Sequence, residues 1–325
     1  MSRAVALLAA VLVLAGVAGC GDDGAEPGVP KGALLVLDFL PNAVHTGIYT
    51  AAAEGLYEDE GVDLKVQPPG ESTDAPKLLA AGKVEFAILD IHDLGLARQQ
   101  GLDLVGVASI VQSPLAAVIA RSDRGIASPK DLEGRTVGVT GLPSDEAVVD
   151  SELRADGGDP KAVKRVTIGF NAVSSLAAGK VDAATAFWNA EGVALREQGV
   201  PIRIFKVGDF GAPDYPELIL TTSRKTLERD PDLVRAVVAA TQQGYEAVVE
   251  DPEAGLDALL AADKSLDRAE QQAQLDVLLP DLEPAPLETG VLGPWAEWDT
   301  ELGILKRENG EELDIDEAFA FDLQQ

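Results

Sequence analysis

Acidic, aromatic and amide side chains gather where predicted strands end. Leu37–His45 (LDFLPNAVH) carries Asp38, Phe39, Asn42 and His45. Gly70–Ser72 carries Glu71 and Ser72, and Phe187–Glu191 (FWNAE) carries Phe187, Trp188, Asn189 and Glu191. Asp90 and Thr140 stand at two further strand ends, and Tyr215 comes shortly before another strand. These residue types suit recognition: rings offer faces for stacking, while carboxylates and amides exchange hydrogen bonds. The space beyond strand carboxyl ends is where open α/β sheets hold ligands. Other chemistries lack their parts, since no Gly-rich phosphate loop, nucleophile elbow or Cys–His pair occurs. His92 with Asp90 and Asp93 lacks zinc-site spacing, and His45 is the only other histidine. No catalytic residue, metal or cofactor is expected.

The elements that must position these residues alternate strand and helix, an α/β pattern. Ala33–Leu37 is an apolar run that suits a buried parallel strand. Ile48, Ala51 and Ala52 recur at helical spacing, and Val62, Leu64 and Val66 alternate as in a strand. Val84–Leu89 forms a third strand that delivers Asp90, and Leu104–Val111 and Leu115–Ala120 add two more. From Arg121 the pattern restarts, with a strand at Thr136–Val139, a helix to about Ala155 and a strand at Val163–Ile168. Ala80–Ala87 (AAGKVEFA) then recurs as Ala177–Ala184 (AAGKVDAA), each copy a helix end, a glycine cap and a strand. One copy per lobe implies two lobes of similar construction, with Phe187–Glu191 placed as Asp90 is in the first. Crossings near Ile119–Ser122 and Thr221–Arg224 give a two-strand hinge. Tyr215 and Glu217, just before the second crossing, suit hinge bracing, and Tyr215 also stands as a ligand contact. Neighbouring strand residues point to opposite sides, so only one of Phe187 and Trp188 is expected to face the cleft. Helices fill the chain from Asp230 onward.

The 325 residues suffice for two domains, and a hydrophobic fraction of 46% marks a globular chain. A formal charge of -29 argues against nucleic-acid binding, because an acidic surface repels phosphate. Arg3 precedes an apolar run from Ala4 to Gly19 that ends at Cys20, the only cysteine. That run is short for a membrane span and suits a signal-peptide core. The Gly- and Pro-rich segment Gly21–Lys31 reads as a tether. The expected organisation is a signal peptide over 1–19, a tether over 20–32, one lobe over 33–120 plus 222–325 and a second over 121–221.

Val17–Cys20 resembles the bacterial lipobox, which implies a lipidated Cys20 as the mature N-terminus. Leu37–Asn42, His45–Gly47, Gly61, Gly70–Ser72 and Phe187–Gly192 resemble the thiamine-pyrimidine-precursor group of solute-binding proteins. That branch is shared by bacterial pyrimidine-binding lipoproteins and the eukaryotic thiamine-pyrimidine synthase. Ser128–Gly134 (SPKDLEG) is similar to the wider nitrate-, sulfonate- and taurine-binding superfamily. The resemblance covers Ala33 to Trp298. It implies a type II periplasmic-binding-protein-like fold: two α/β lobes joined by a two-strand hinge, closing on a ligand. The implied protein is monomeric, is held by lipid on the outer face of the cell membrane and hands its ligand to an ABC importer permease. The implied ligand is a thiamine-pyrimidine precursor or similar heterocycle, stacked on Phe39, Phe187 or Trp188. Glu191 or Glu71 would accept from its amine, with Asp38, Asn42 and Asp90 completing the bonds. His45 is read as a ligand donor, a loop brace or, as in the synthase, a sacrificial reactant. Riboflavin or a sulfonate or nitrate anion is the alternative ligand, and a pyrimidine synthase the enzymatic alternative. The family's frequent Trp and Tyr are here Phe39 and Phe187, which keep stacking and lose hydrogen-bonding handles. The synthase's cysteine-rich stretch is missing.

Overall fold

Each predicted βαβ segment folds as expected, and two sheets result. The computed structural model describes residues 30–70, 75–307 and 312–323. The first sheet begins with β1 (Lys31–Val36), followed by a 3-10 turn at Ala43–His45, α1 (Thr46–Ala53), α2 (Leu56–Asp59) and β2 (Val62–Gln67). Then come α3 (Ala75–Ala80), β3 (Phe86–Asp90), α4 (Ile91–Gln99) and β4 (Leu104–Ser109). The second sheet contains β5 (Ala116–Arg121), β6 (Thr136–Val139), α5 (Pro143–Ala155), β7 (Lys164–Thr167), α6 (Ala172–Ala177), β8 (Ala183–Phe187), α7 (Glu191–Glu197) and β9 (Ile202–Lys206). β10 (Leu218–Ser223) returns to the first sheet. Helices α8 (Arg224–Arg229), α9 (Pro231–Glu250), α10 (Pro252–Ala262), α11 (Arg268–Leu278), α12 (Thr289–Leu302) and α13 (Ile315–Ala318) complete the chain.

The strand orders, β2-β1-β3-β10-β4 and β7-β6-β8-β5-β9, follow one plan. In each, four strands run in one direction, and the strand entering from the other lobe, β10 or β5, pairs antiparallel with its neighbours on both sides. The sequence echo is the structural echo. Gly82 and Gly179 take left-handed φ values of 63° and 65° as they close α3 and α6 ahead of β3 and β8.

One boundary differs from the sequence expectation. Leu115–Ala120 does not end the first lobe: Ala116–Ala120 pairs with β8, and Ala117–Arg121 with β9. The crossings therefore run over 110–115 and 211–217, several residues earlier than Ile119–Ser122 and Thr221–Arg224. An apolar run suits either sheet, and only the long-range pairing decides. Cys20, the apolar leader and the tether up to Val29 lie outside the described residues.

The loop bearing Asp38 and Asn42 is held from behind by α9. The Tyr245 hydroxyl donates to the Val44 carbonyl at 2.7 Å, and the Tyr57 and Thr241 hydroxyls bond at 2.9 Å. The two helices approach closely because Gly47 and Gly244 face each other. A Cβ on Gly47 would lie 2.3 Å from the Tyr245 ring, and one on Gly244 would lie 2.2 Å from the Gly47 carbonyl oxygen. We therefore expect Gly47→Ala to cost about 1–3 kcal/mol of stability, the usual penalty for overpacking, and to lower the melting temperature by several degrees. An unchanged melting temperature would show that the helices can part freely.

Candidate functional site

Between the two sheets lies a cavity of about 310 Å³. Asp38, Phe39 and Asn42 line it from the loop after β1, and Asp90 and Asp93 from the junction of β3 and α4. Across it stand Thr140 and Asp145 from the β6–α5 turn, Phe170 after β7, and Phe187, Asn189 and Glu191 between β8 and α7. Every one of these segments follows a strand's carboxyl end, as the fold's logic requires.

Local chemistry fixes the first wall. The Asn42 side chain accepts from the Val44 amide at 3.0 Å and donates to the Leu40 carbonyl at 3.0 Å, capping the 3-10 turn. The Asn42 amide donates to His45 Nδ1 at 3.2 Å. That bond leaves the proton on Nε2, which lies 2.9 Å from Asp38 Oδ1 and donates to it. His45 is fully buried and absent from the cavity wall, so it braces the loop and aims Asp38. Asn42 reaches the cavity with its amide already engaged by the turn.

Opposite, the Asp145 carboxylate is saturated with donors. Its Oδ2 accepts from the Thr140 hydroxyl at 2.5 Å and from the Gly141 and Leu142 amides at 2.9 and 3.1 Å, and its Oδ1 from the Thr185 hydroxyl at 2.7 Å. Glu191 is far less supported. Its Oε2 accepts from the Phe187 amide at 3.1 Å. Burial pushes its carboxyl up to about 7, backbone amides oppose the rise, and the charges of Asp38 and Asp145 add to it. Burial, then the charge of Asp90, also holds Asp93 well above the usual carboxylate range. Asn189 is 1% exposed, and neither its amide oxygen nor its amide nitrogen has a partner among the described residues. A buried amide with both ends unpaired is costly and calls for a partner. Phe39 and Phe170 meet across the cavity edge to face, with ring centres 4.9 Å apart.

Of the residues singled out from sequence, Asp38, Phe39, Asn42, Asp90, Thr140, Phe187, Asn189 and Glu191 come together on the cavity wall. Glu71 and Ser72 lie outside the described residues. Trp188 is turned away from the cavity: its indole donates to the Pro114 carbonyl at 3.0 Å, and Lys206 Nζ sits 3.4 Å from its ring centre. Strand alternation allowed one of the adjacent rings into the cleft, and that one is Phe187. Tyr215 is also off the wall, buried with its hydroxyl 3.1 Å from His92 Nε2 and its ring 5.9 Å from that of Trp298. Phe170, Asp145 and Asp93 were not singled out as ligand contacts. Phe170 stands two residues beyond the predicted strand Val163–Ile168, close to the strand-end position that Asp38 and Asp90 hold. Asp90, His92 and Glu217 are the described residues grouped closely enough to suggest a metal. Both nitrogens of His92 are engaged, however, Nδ1 with Asp299 at 2.7 Å and Nε2 with Tyr215.

Two α/β lobes of one plan, crossed twice by the chain, with a cavity at their strand ends, define a two-lobed solute-binding fold of the periplasmic type. The chain belongs to the NMT1/THI5-like family, whose model matches residues 42–255. It is 34% identical over 288 residues to the formylaminopyrimidine-binding protein of Halalkalibacterium halodurans, covering 86% of each chain. It is 26% identical over 235 residues to the 4-amino-5-hydroxymethyl-2-methylpyrimidine phosphate synthase of Legionella pneumophila, covering 71% of this chain and 74% of that one. The alkanesulfonate-binding protein SsuA of Xanthomonas axonopodis, solved bound to MOPS, shares the fold with a TM-score of 0.72. That match has 17% identity and covers 90% of this chain and 99% of the other.

Glu191 gives a signed prediction. Its folded value of about 7 exceeds its ordinary 4.5, so between these the folded state keeps a proton that the unfolded state has lost. The stability tied to this group is therefore full below about pH 4.5 and is lost as pH rises through about 7. Glu191→Gln removes the titration. Its melting temperature should gain on the wild type from about pH 5 to about pH 8, by at most roughly 3 kcal/mol in stability. Parallel curves would contradict the burial argument.

Proposed function

We propose that this protein is the solute-binding component of an ABC importer and captures a thiamine-pyrimidine precursor of the formylaminopyrimidine type. The observation that carries this reading is Asn189, buried on the cavity wall with both polar atoms unpaired. An amide side chain presents one donor beside one acceptor, the complement of an aminopyrimidine edge. Glu191 supports the same ligand. A carboxyl that titrates near 7 accepts from an exocyclic amine when ionised and donates to a ring nitrogen when protonated. Phe39, Phe170 and Phe187 supply apolar faces for a flat ring. A cavity rich in carboxyl groups disfavours sulfonate or nitrate. The relative of known ligand from Halalkalibacterium halodurans points the same way.

In this reading the ligand bridges the lobes and biases an open–closed equilibrium, with 110–115 and 211–217 absorbing the backbone change. The role is capture and delivery to a permease, not catalysis, performed outside the cell membrane by a monomer anchored through lipid on Cys20.

Calorimetry with formylaminopyrimidine, riboflavin and taurine tests the proposal. Binding of the pyrimidine is expected, and binding of taurine alone would overturn it. Asn189→Ala should weaken pyrimidine affinity by roughly 10- to 100-fold, the worth of one such two-bond pair. Its melting temperature should stay within a few degrees of the wild type, because the amide stabilises nothing in the free protein. Unchanged affinity would remove Asn189 from the site.

A further inference from the structure

Glu217 ends the second crossing segment and is fully buried. Its Oε2 accepts from the backbone amides of Leu115 at 2.5 Å, at the end of the first crossing segment, and Ala116 at 2.9 Å, at the start of β5. A single carboxyl oxygen thus joins the two stretches of chain that link the lobes. The other oxygen, Oε1, is buried and meets no N–H donor. A carboxyl oxygen of Glu217 lies within 4.8 Å of one on Asp90. Two carboxylates this close in a low dielectric repel strongly unless one holds a proton. Asp90 itself caps α4 by accepting from the His92 amide at 2.8 Å, and it lines the ligand cavity.

We propose that Glu217 is the latch of the hinge: one oxygen pins the crossing segments together, and a proton shared with Asp90 ties them to the cavity wall, so that losing this proton loosens closure. The proposal rests on the reading of the cavity as a ligand site, and its hinge geometry stands without any particular ligand.

The surrounding charges set the direction. Facing the pair are His92 on α4, Asp299 on α12 and Tyr215 on the crossing segment, with Asp93 next to Asp90. Burial alone would push the His92 imidazole down, but the charges of Asp299 and Asp90 hold it at about 10. The Trp295 indole N–H is directed at the same Nδ1 that meets Asp299, at 3.1 Å. Burial, then the charge of Asp90, pushes Glu217 up to about 8, against His92 and the amides of Ala116 and Leu115. Losing the proton adds one negative charge to the cluster of Asp90, Glu217, Asp299 and His92. The proton is held below about pH 8 and lost above it, so the latch weakens as pH rises.

The test is ligand affinity and amide exchange between about pH 7 and pH 9.5. Wild-type affinity for formylaminopyrimidine should fall by about tenfold, the change that one unit of titration shift on closure produces. Glu217→Gln keeps an acceptor for Leu115 and Ala116 and offers Asp90 a permanent donor. It should match the wild type at pH 7 and lose the decline. A flat wild-type profile, or the same decline in the variant, would overturn the latch. Hydrogen exchange at the Leu115 and Ala116 amides gives a readout that needs neither ligand nor variant. After correction for base catalysis, their protection should drop with a midpoint near pH 8, and protection that stays constant would overturn the proposal. If the wild type binds no pyrimidine yet shows this midpoint, the ligand assignment fails and the latch stands.

Discussion

Burial of carboxyl groups where two sheets meet is the constraint on which the rest of this structure depends. A desolvated carboxylate survives only with donors, with a cation or with a proton. Asp145 has donors, two hydroxyls and two backbone amides. Asp38 has the Nε2–H of His45, itself oriented by the turn that Asn42 caps. Asp90 and Glu217, grouped with His92, are proposed to hold one proton between them. These solutions tie the cavity wall to the 3-10 turn, to the α5 terminus and to the hinge. Geometry at the centre is therefore set by groups several residues away from it.

Glu191 and Asn189 are less fully supported. Glu191 has the Phe187 amide and meets the charges of Asp38 and Asp145. Asn189 has no partner among the described residues. Both stand between β8 and α7, in the wall that Phe39 and Phe170 close from the front. Binding sites keep such unmet valences because the ligand completes them, at a cost in stability that the two cores absorb. The fold supplies rigidity through sheets of one repeated plan. It supplies motion through two short crossings.

Much of this was legible in the sequence. The repeat of Ala80–Ala87 at Ala177–Ala184 announced two lobes, because a helix stop, a left-handed glycine and a buried strand are local matters. Strand ends announced Asp38, Asp90 and Glu191 by the same logic. What escaped was decided at long range. Leu115–Ala120 is apolar enough for either sheet, and its pairing with β8 and β9 is invisible along the chain. Between a ligand donor and a loop brace, both open for His45 from sequence, its ring nitrogens favour the brace, being taken by Asn42 and Asp38. Trp188 and Tyr215 are aromatic residues near the cleft whose partners, Pro114, Lys206 and His92, are distant in sequence. Phe170 had the right position and went unread because it stands alone, without the neighbouring acids that marked the other strand ends.

If Asn189 and Glu191, at the β8–α7 junction, are ligand groups, a crystal structure of the protein with formylaminopyrimidine will show it. The ring is expected between the lobes, with Asn189 making both a donated and an accepted hydrogen bond and Glu191 within bonding distance of a ring or amine nitrogen. A ligand seated elsewhere, with the Asn189 amide still unpaired, would contradict it.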